Sequence, residues 1–156
     1  MIRNYNEKDI DSITEDQKSL NAFHLLIDKN YYAASKDFKE EFASFIRGKI
    51  KDKNFRIIVA EDKKRIIGYA MGWVELRPPI YLKRKIGYLS NIYVKDHFRN
   101  TGMGKRLYFS MEKWFKKKGV AFIELKTNIN NSMAIKRFRS YGFTELSIAF
   151  YKNIKK

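Results

Sequence analysis

The chain has 156 residues, which at about 100–200 residues per domain leaves room for one domain, residues 1–156, with one core. It contains no cysteine, which excludes a disulfide framework, a thiolate zinc or iron–sulfur site and a cysteine nucleophile; with His24 and His97 as the only imidazoles, no metal site is expected. Thirty-three Lys and Arg against 17 Asp and Glu give a net charge of +16, which favours polyanionic partners: nucleic acid, an anionic membrane surface or a phosphate-rich cofactor.

The charge is uneven. Residues 1–45 hold six basic and nine acidic groups, a net −3, and residues 46–156 hold 27 and 8, a net +19. The 23 lysines against 10 arginines also fit a compositional bias whose lysines are solvated surface. Apolar runs such as Arg56-Ile57-Ile58-Val59-Ala60 are far short of the roughly 20 residues that span a bilayer. The charged stretch after Met1-Ile2-Arg3-Asn4-Tyr5 does not read as a secretory signal, so a cytoplasmic protein is expected, with no membrane association.

In chain order, Ile2 to Tyr5 reads as a short strand, and Ser12-Ile13-Thr14-Glu15 has capping-box spacing for a helix reaching about Asp28. Ser35 is placed to cap a second helix whose stripe is Phe38, Phe42, Phe45, Ile46 and Ile50. Arg56 to Ala60 and Arg65 to Leu76 are extended and joined through the polar Glu61-Asp62-Lys63-Lys64, a hairpin. Residues 77 to 85, Arg-Pro-Pro-Ile-Tyr-Leu-Lys-Arg-Lys, read as an ordered loop. Ile86 to Val94 is the next strand. Gly102 to Lys118 is a helix on Leu107, Met111, Trp114 and Phe115, stopped by Gly119. Val120 to Thr127 reads as a strand, Asn131 to Tyr141 as a helix ended by Gly142, and Phe143 to Tyr151 as a last strand.

The segment Ile92-Tyr93-Val94-Lys95-Asp96-His97-Phe98-Arg99-Asn100-Thr101-Gly102-Met103-Gly104-Lys105 runs from a strand into a helix. Two glycines one residue apart at a helix start let successive amides converge, and the helix dipole adds positive potential there. Arg99, Lys105 and Arg106 bring full charges to the same place, which suits a pyrophosphate; a tight turn with no ligand uses the same glycines. No Gly-x-x-x-x-Gly-Lys-Ser/Thr is present, and Gly102-Met103-Gly104-Lys105-Arg106-Leu107 lacks a glycine of Gly-x-Gly-x-x-Gly, which argues against nucleotide hydrolysis and hydride transfer.

Arg99-Asn100-Thr101-Gly102-Met103-Gly104 matches Arg/Gln-x-x-Gly-x-Gly/Ala, the strand Leu89 to Val94 precedes it, and Ile123-Glu124-Leu125, Asn131-x-x-Ala134 and Gly142-Phe143 follow. In these features the chain resembles the GCN5-related N-acetyltransferases. The resemblance implies an α/β fold, α+β in some schemes: three layers, α/β/α, around a mixed, mostly antiparallel sheet splayed at residues 86–94 and 120–127. It implies acetyl-CoA as co-substrate, with Ile92, Tyr93 and Val94 along pantetheine, Arg99, Asn100, Thr101, Gly102, Met103, Gly104 and Lys105 at the pyrophosphate, and Asn131 on the pantetheine arm. The implied reaction is direct acyl transfer to a primary amine, of a protein N-terminus or lysine or of a small molecule, without a covalent enzyme intermediate.

The tyrosine that protonates the leaving thiolate in many relatives has Phe138 at its position here, and Tyr141, three residues on, is a candidate acid at a position that normally packs. Glu75, at the end of a strand, and Glu124 are candidate bases; Lys126 stands where some members carry a catalytic glutamate. The acidic balance of residues 1–45 favours an amine acceptor, whereas Arg77, Lys83, Arg84 and Lys85 favour an acidic or phosphorylated one. Phe23, Tyr31, Tyr32, Trp73 and Tyr81 are candidates for the acceptor wall. Phe138 and the basic charge also leave open a noncatalytic CoA-binding sensor or a nucleic-acid-binding module. Pairing of the last strand across an edge would make a homodimer.

Overall fold

A computed structural model describes residues 1–154. Met1–Lys126 forms one compact unit, and a second begins at Thr127. The first is built on a five-stranded sheet in the order β1 (Ile2–Asn4), β2 (Phe55–Asp62), β3 (Arg65–Leu76), β4 (Lys85–Val94), β5 (Phe122–Glu124). The first four strands are antiparallel neighbours and β5 runs parallel to β4. The β-branched run Ile57-Ile58-Val59 is buried on both faces and reads as apolar without alternation. Lys63 and Lys64, at φ 45° and 64°, close the β2–β3 hairpin in the left-handed region.

On one face, α1 (Ile10–Ile27) and α2 (Phe38–Lys49) bury Ile10, Ile13 and Ile46 against Ile57, Val59, Tyr69, Met71 and Tyr93. On the other lies α3 (Met103–Lys117), whose Leu107, Met111 and Phe115 are fully buried. The Phe115 ring seats directly on Gly87: a Cβ there would lie 2.4 Å from Phe115 Cδ1, so only glycine lets α3 approach the strand this closely. The expected three layers and mixed, mostly antiparallel sheet are therefore present.

Four expectations change. The helix α1 begins at Ile10, before Ser12, and its N-cap Asp9 makes no side-chain cap bond to it; the Asp9 carboxylate instead accepts from the Asn6 amide (2.9 Å), closing the 3-10 turn Glu7–Asp9, and from Arg3 (2.7 and 2.9 Å). The helix grows out of that turn, which leaves Ser12 inside it. Ser35 does not cap α2, which begins at Phe38; its hydroxyl donates to Glu41 (2.5 Å). The strand expected at 120–127 shrinks to Phe122–Glu124, because β4 accepts a parallel neighbour only at residues 86–88. The last, expected at 143–151, forms no strand. Leu146, Ile148 and Phe150 do alternate, but all are exposed, and the described part of the second unit contains one helix and no other strand to receive a ladder. Alternation specifies a face; it does not provide the neighbour.

That helix, α4 (Ser132–Ser140), is capped by Asn131, whose side chain accepts from the Ala134 amide (3.1 Å). Gly142, at φ 93°, follows it. The Phe138 ring meets Tyr141 and Phe143 edge-on at 6.3 and 5.8 Å.

Candidate active site

The site begins where β4 and β5 part. Ile86, Gly87 and Tyr88 pair with Phe122, Ile123 and Glu124, and the pairing stops there, leaving β4 with an open edge from Leu89 to Val94. This is the splay expected at residues 86–94 and 120–127. A bulge sets which groups that edge presents. Met71 pairs with Asn91 and Gly72 with Leu89, so Ser90 is the extra residue. Lys95 donates to the Ile67 carbonyl (2.9 Å), and alternation back along the strand turns Tyr93 and Asn91 toward β3 and the backbones of Ile92 and Val94 toward the open edge. The Val94 carbonyl accepts from Arg99 Nε at 3.0 Å. The Tyr93 side chain is buried in the face under α1 and α2.

Beyond β4 the chain makes a 3-10 turn, Asp96–Phe98, and enters α3 through two left-handed residues, Asn100 (φ 63°) and Gly102 (φ 80°). Gly102 is the N-cap; no side chain caps the helix, and its first turn holds no acidic residue. Arg106 donates to the Gly102 carbonyl (3.1 Å), so the amides of Met103, Gly104 and Lys105 precede the first helical bond and have no acceptor along the helix. Space is open beside the Gly102 Cα. Converging amides at a dipole's positive end make an anion seat. Thr101 Oγ1 donates to the Phe98 carbonyl (2.7 Å), which tightens the turn. Arg99 is folded back: besides Val94 it binds Asp96 Oδ1 at 2.8 Å and lies 5.7 Å from the Tyr93 ring centroid. Its charge shapes the turn, while the exposed Lys105, whose Nζ lies 5.8 Å from the Phe109 ring centroid, and Arg106 add positive charge beside it.

On the α1–α2 side, Trp73 Nε1 donates to Glu75 Oε2 (3.1 Å) and the Trp73 ring lies 4.9 Å from Tyr88. Tyr88 pairs in register with Glu124. Burial first, and then the charges of Glu75 and Glu124, raise the Tyr88 phenol above its ordinary value, with Tyr31 contributing in the same sense. Aromatic rings continue from Trp73 to Phe55 (6.3 Å) and Phe45 (5.9 Å), where Val74, Lys49 and Asp52 complete a cavity of about 330 Å³. His24 packs 4.9 Å from Tyr32, and burial lowers its pKa.

Sequence reasoning missed Tyr88 as well as a polar cluster beneath α1. Gln17 Oε1 accepts from the Tyr69 hydroxyl and from Asn91 Nδ2 (3.0 Å), and Ser90 Oγ donates to Asn91 Oδ1 (2.6 Å). Beside it Asp16 lies 3.5 Å from Lys95 Nζ, with burial raising its carboxyl to about 6. The signal was available as spacing: Asp16 and Gln17 fall between Ile13 and Leu20 at helical period, polar residues on an inward stripe. The structure thus gathers Ile92, Val94, the turn from Arg99 to Lys105, Glu75 and Glu124 in the first unit, whereas Asn131, Phe138 and Tyr141 belong to the second.

An open strand edge feeding an uncapped, left-handed entry into a helix presents unpaired backbone groups and a positive dipole end, an arrangement that suits an anion. Residues 20–143 match the model of the acetyltransferase (GNAT) family, and the chain belongs to that family. A curated relative, the GCN5-related N-acetyltransferase 4, chloroplastic, of Arabidopsis thaliana, is 36% identical over 63 residues, 40% of this chain and 22% of that protein. The match therefore spans about a fifth of the relative's length. In fold, the chain resembles a mutant of the BH1408 protein from Bacillus halodurans (TM-score 0.87, 18% identity, 99% of both chains). It also resembles the aminoglycoside N-acetyltransferase AAC(6')-Iy in complex with CoA (TM-score 0.79, 18% identity, 99% of this chain and 95% of that one).

Proposed function

We propose that the protein transfers an acetyl group from acetyl-CoA to a primary amine. The observation that carries this reading is the uncapped start of α3, entered through Asn100 and Gly102 at the end of a strand with an open edge, within the region that matches the acetyltransferase family. The amides of Met103, Gly104 and Lys105 hold the pyrophosphate, Lys105 and Arg106 add charge, and the free backbone groups of Ile92 and the Val94 amide pair with the pantetheine arm. The support for Asn131 as a further cofactor contact is the family resemblance; its side chain caps α4.

The acceptor is a primary amine of a small molecule or of a protein. Support comes from Glu75 and Glu124 beside the Trp73 and Tyr88 rings, an acidic and aromatic spot in a chain of net charge +16, which attracts an ammonium group before it loses its proton. The aminoglycoside enzymes among the structural relatives point to the same chemistry. The amine enters neutral, its nitrogen attacks the thioester carbon, and the amides of the β4 edge are positioned to stabilise the oxyanion.

Titration calorimetry with acetyl-CoA tests the site. Binding is expected for the wild-type protein, and Gly104→Glu, which brings a carboxylate to the anion seat, should weaken it at least about tenfold, about 1.4 kcal/mol. Unchanged affinity in the variant would remove α3 from the cofactor site. Spermidine, tryptamine and an unstructured lysine peptide, assayed by release of free CoA, then sort the acceptor.

A further inference from the structure

We propose that the Tyr88 phenol is the proton donor to the departing CoA thiolate. The proposal rests on the acetyl-transfer reading and adds a catalytic residue to it. Tyr88 is the last residue of β4 that pairs with β5, so it stands at the vertex of the splay. A chain lying along the open edge from the α3 anion seat covers the six residue steps from Val94 back to Tyr88, about 20 Å at strand rise, and ends beside this ring.

The surroundings suit a donor. Tyr88 is half-buried, and its hydroxyl is held by no hydrogen bond among the described residues, so its proton is not committed to a protein acceptor. Its ring is fixed against Trp73, and Trp73 is itself tied to Glu75. The groups that face it are Glu75 from β3, Glu124 from β5 and Tyr31 from the segment between α1 and α2, with no cation among those acting on it. Two carboxylates and partial burial disfavour tyrosinate, so the proton is in place when the thiolate forms, and the same charges disfavour that thiolate and raise its demand for a proton. The alternative donor position found in many relatives holds Phe138, which has no proton to give.

The step balances as follows. The amine nitrogen forms the C–N bond, and the C–S bond breaks with its electron pair left on sulfur. Tyr88 gives its proton to that sulfur. The nitrogen sheds its proton to Glu124, which has no hydrogen bond or ion pair among the described residues, and Glu124 returns it to the Tyr88 oxygen. Amine and thioester become amide and thiol, with Tyr88 and Glu124 restored.

The test is Tyr88→Phe, which keeps the ring and loses only the hydroxyl. With spermidine or tryptamine as acceptor, kcat is expected to fall about 100-fold while the Kd and KM of acetyl-CoA stay unchanged, and the alkaline limb of the kcat profile should disappear. With acetyl-selenoCoA, whose selenolate leaves without protonation, wild type and variant should agree within about threefold. Equal losses with both donors, a kcat within about threefold of wild type on acetyl-CoA, or a loss of acetyl-CoA affinity each overturns the proposal while the acetyl-transfer reading stands. Wild-type protein that binds acetyl-CoA yet releases no CoA with any amine overturns that reading and this one together.

Discussion

Asp16 shows how much one carboxylate can record about its surroundings. It is nearly inaccessible, Oδ1 is 3.5 Å from Lys95, and Oδ2 has no partner among the described residues. Desolvation outweighs the lysine, and its pKa rises from an ordinary 3.8 to about 6. The sign follows from proton binding. Between these values the folded state holds more protons than the unfolded one, so the contribution of Asp16 is present below about pH 4 and is lost as the pH rises through 6. Asp16→Asn should therefore stabilise the protein at pH 7 by roughly 1–3 kcal/mol and remove the part of the slope that falls between pH 4 and 6. Urea unfolding at pH 4, 5, 6 and 7 checks both. A less stable variant at pH 7 would mean that the Lys95 pair outweighs the desolvation. Phe138 was legible at the same scale: a side chain that lacks a proton is visible from its letter. Tyr88 was not, because its importance lies in a register partner 36 positions away, Glu124, which no local pattern contains.

Among elements, those whose instructions are local were readable. The hairpin of β2 and β3, the amphipathic α3 and the glycine after it follow from β-branching, from the Leu107, Met111 and Phe115 stripe, and from Gly119 at φ 68°. Elements that depend on a neighbour were not: β5 is three residues long because β4 offers it three, and the alternating residues after Phe143 form no strand. The turn before α3 belongs with the readable ones in part, since Gly102 takes the left-handed conformation its residue type favours, whereas Asn100 takes it with a side chain. The hairpin also contains a correctable flaw. Lys63 and Lys64 both occupy the left-handed region, which favours asparagine and glycine. Replacing the pair by Lys63→Asn and Lys64→Gly should stabilise the first unit by about 0.5–1 kcal/mol, read as a higher melting temperature with unchanged acetyl-CoA affinity.

For the whole molecule, the net +16 is neither a fold determinant nor a fingerprint of one partner. No helix among the described residues is long and apolar enough to cross a membrane. At the uncapped start of α3 the general positive field and the local dipole act in the same direction, so acetyl-CoA affinity should fall several-fold between about 0.05 and 0.5 M salt as the screening length shortens. Calorimetry at the two salt concentrations measures it; a flat response would confine the attraction to the short-range amides.

The extra residue at Ser90 makes the open edge a matter of parity. Downstream of it the odd-numbered Asn91 and Tyr93 face β3 and the even-numbered Ile92 and Val94 face outward; removing Ser90 itself would only restore a regular ladder, whereas removing a residue beyond it would exchange the two sets. Any substitution in β4 alters one tooth of this comb, whereas a single deletion beyond the bulge turns the rest of the comb over. The register of the strand is therefore tolerant of spelling and intolerant of length, and β4 should evolve by replacement while insertions collect in the loop of residues 77–84.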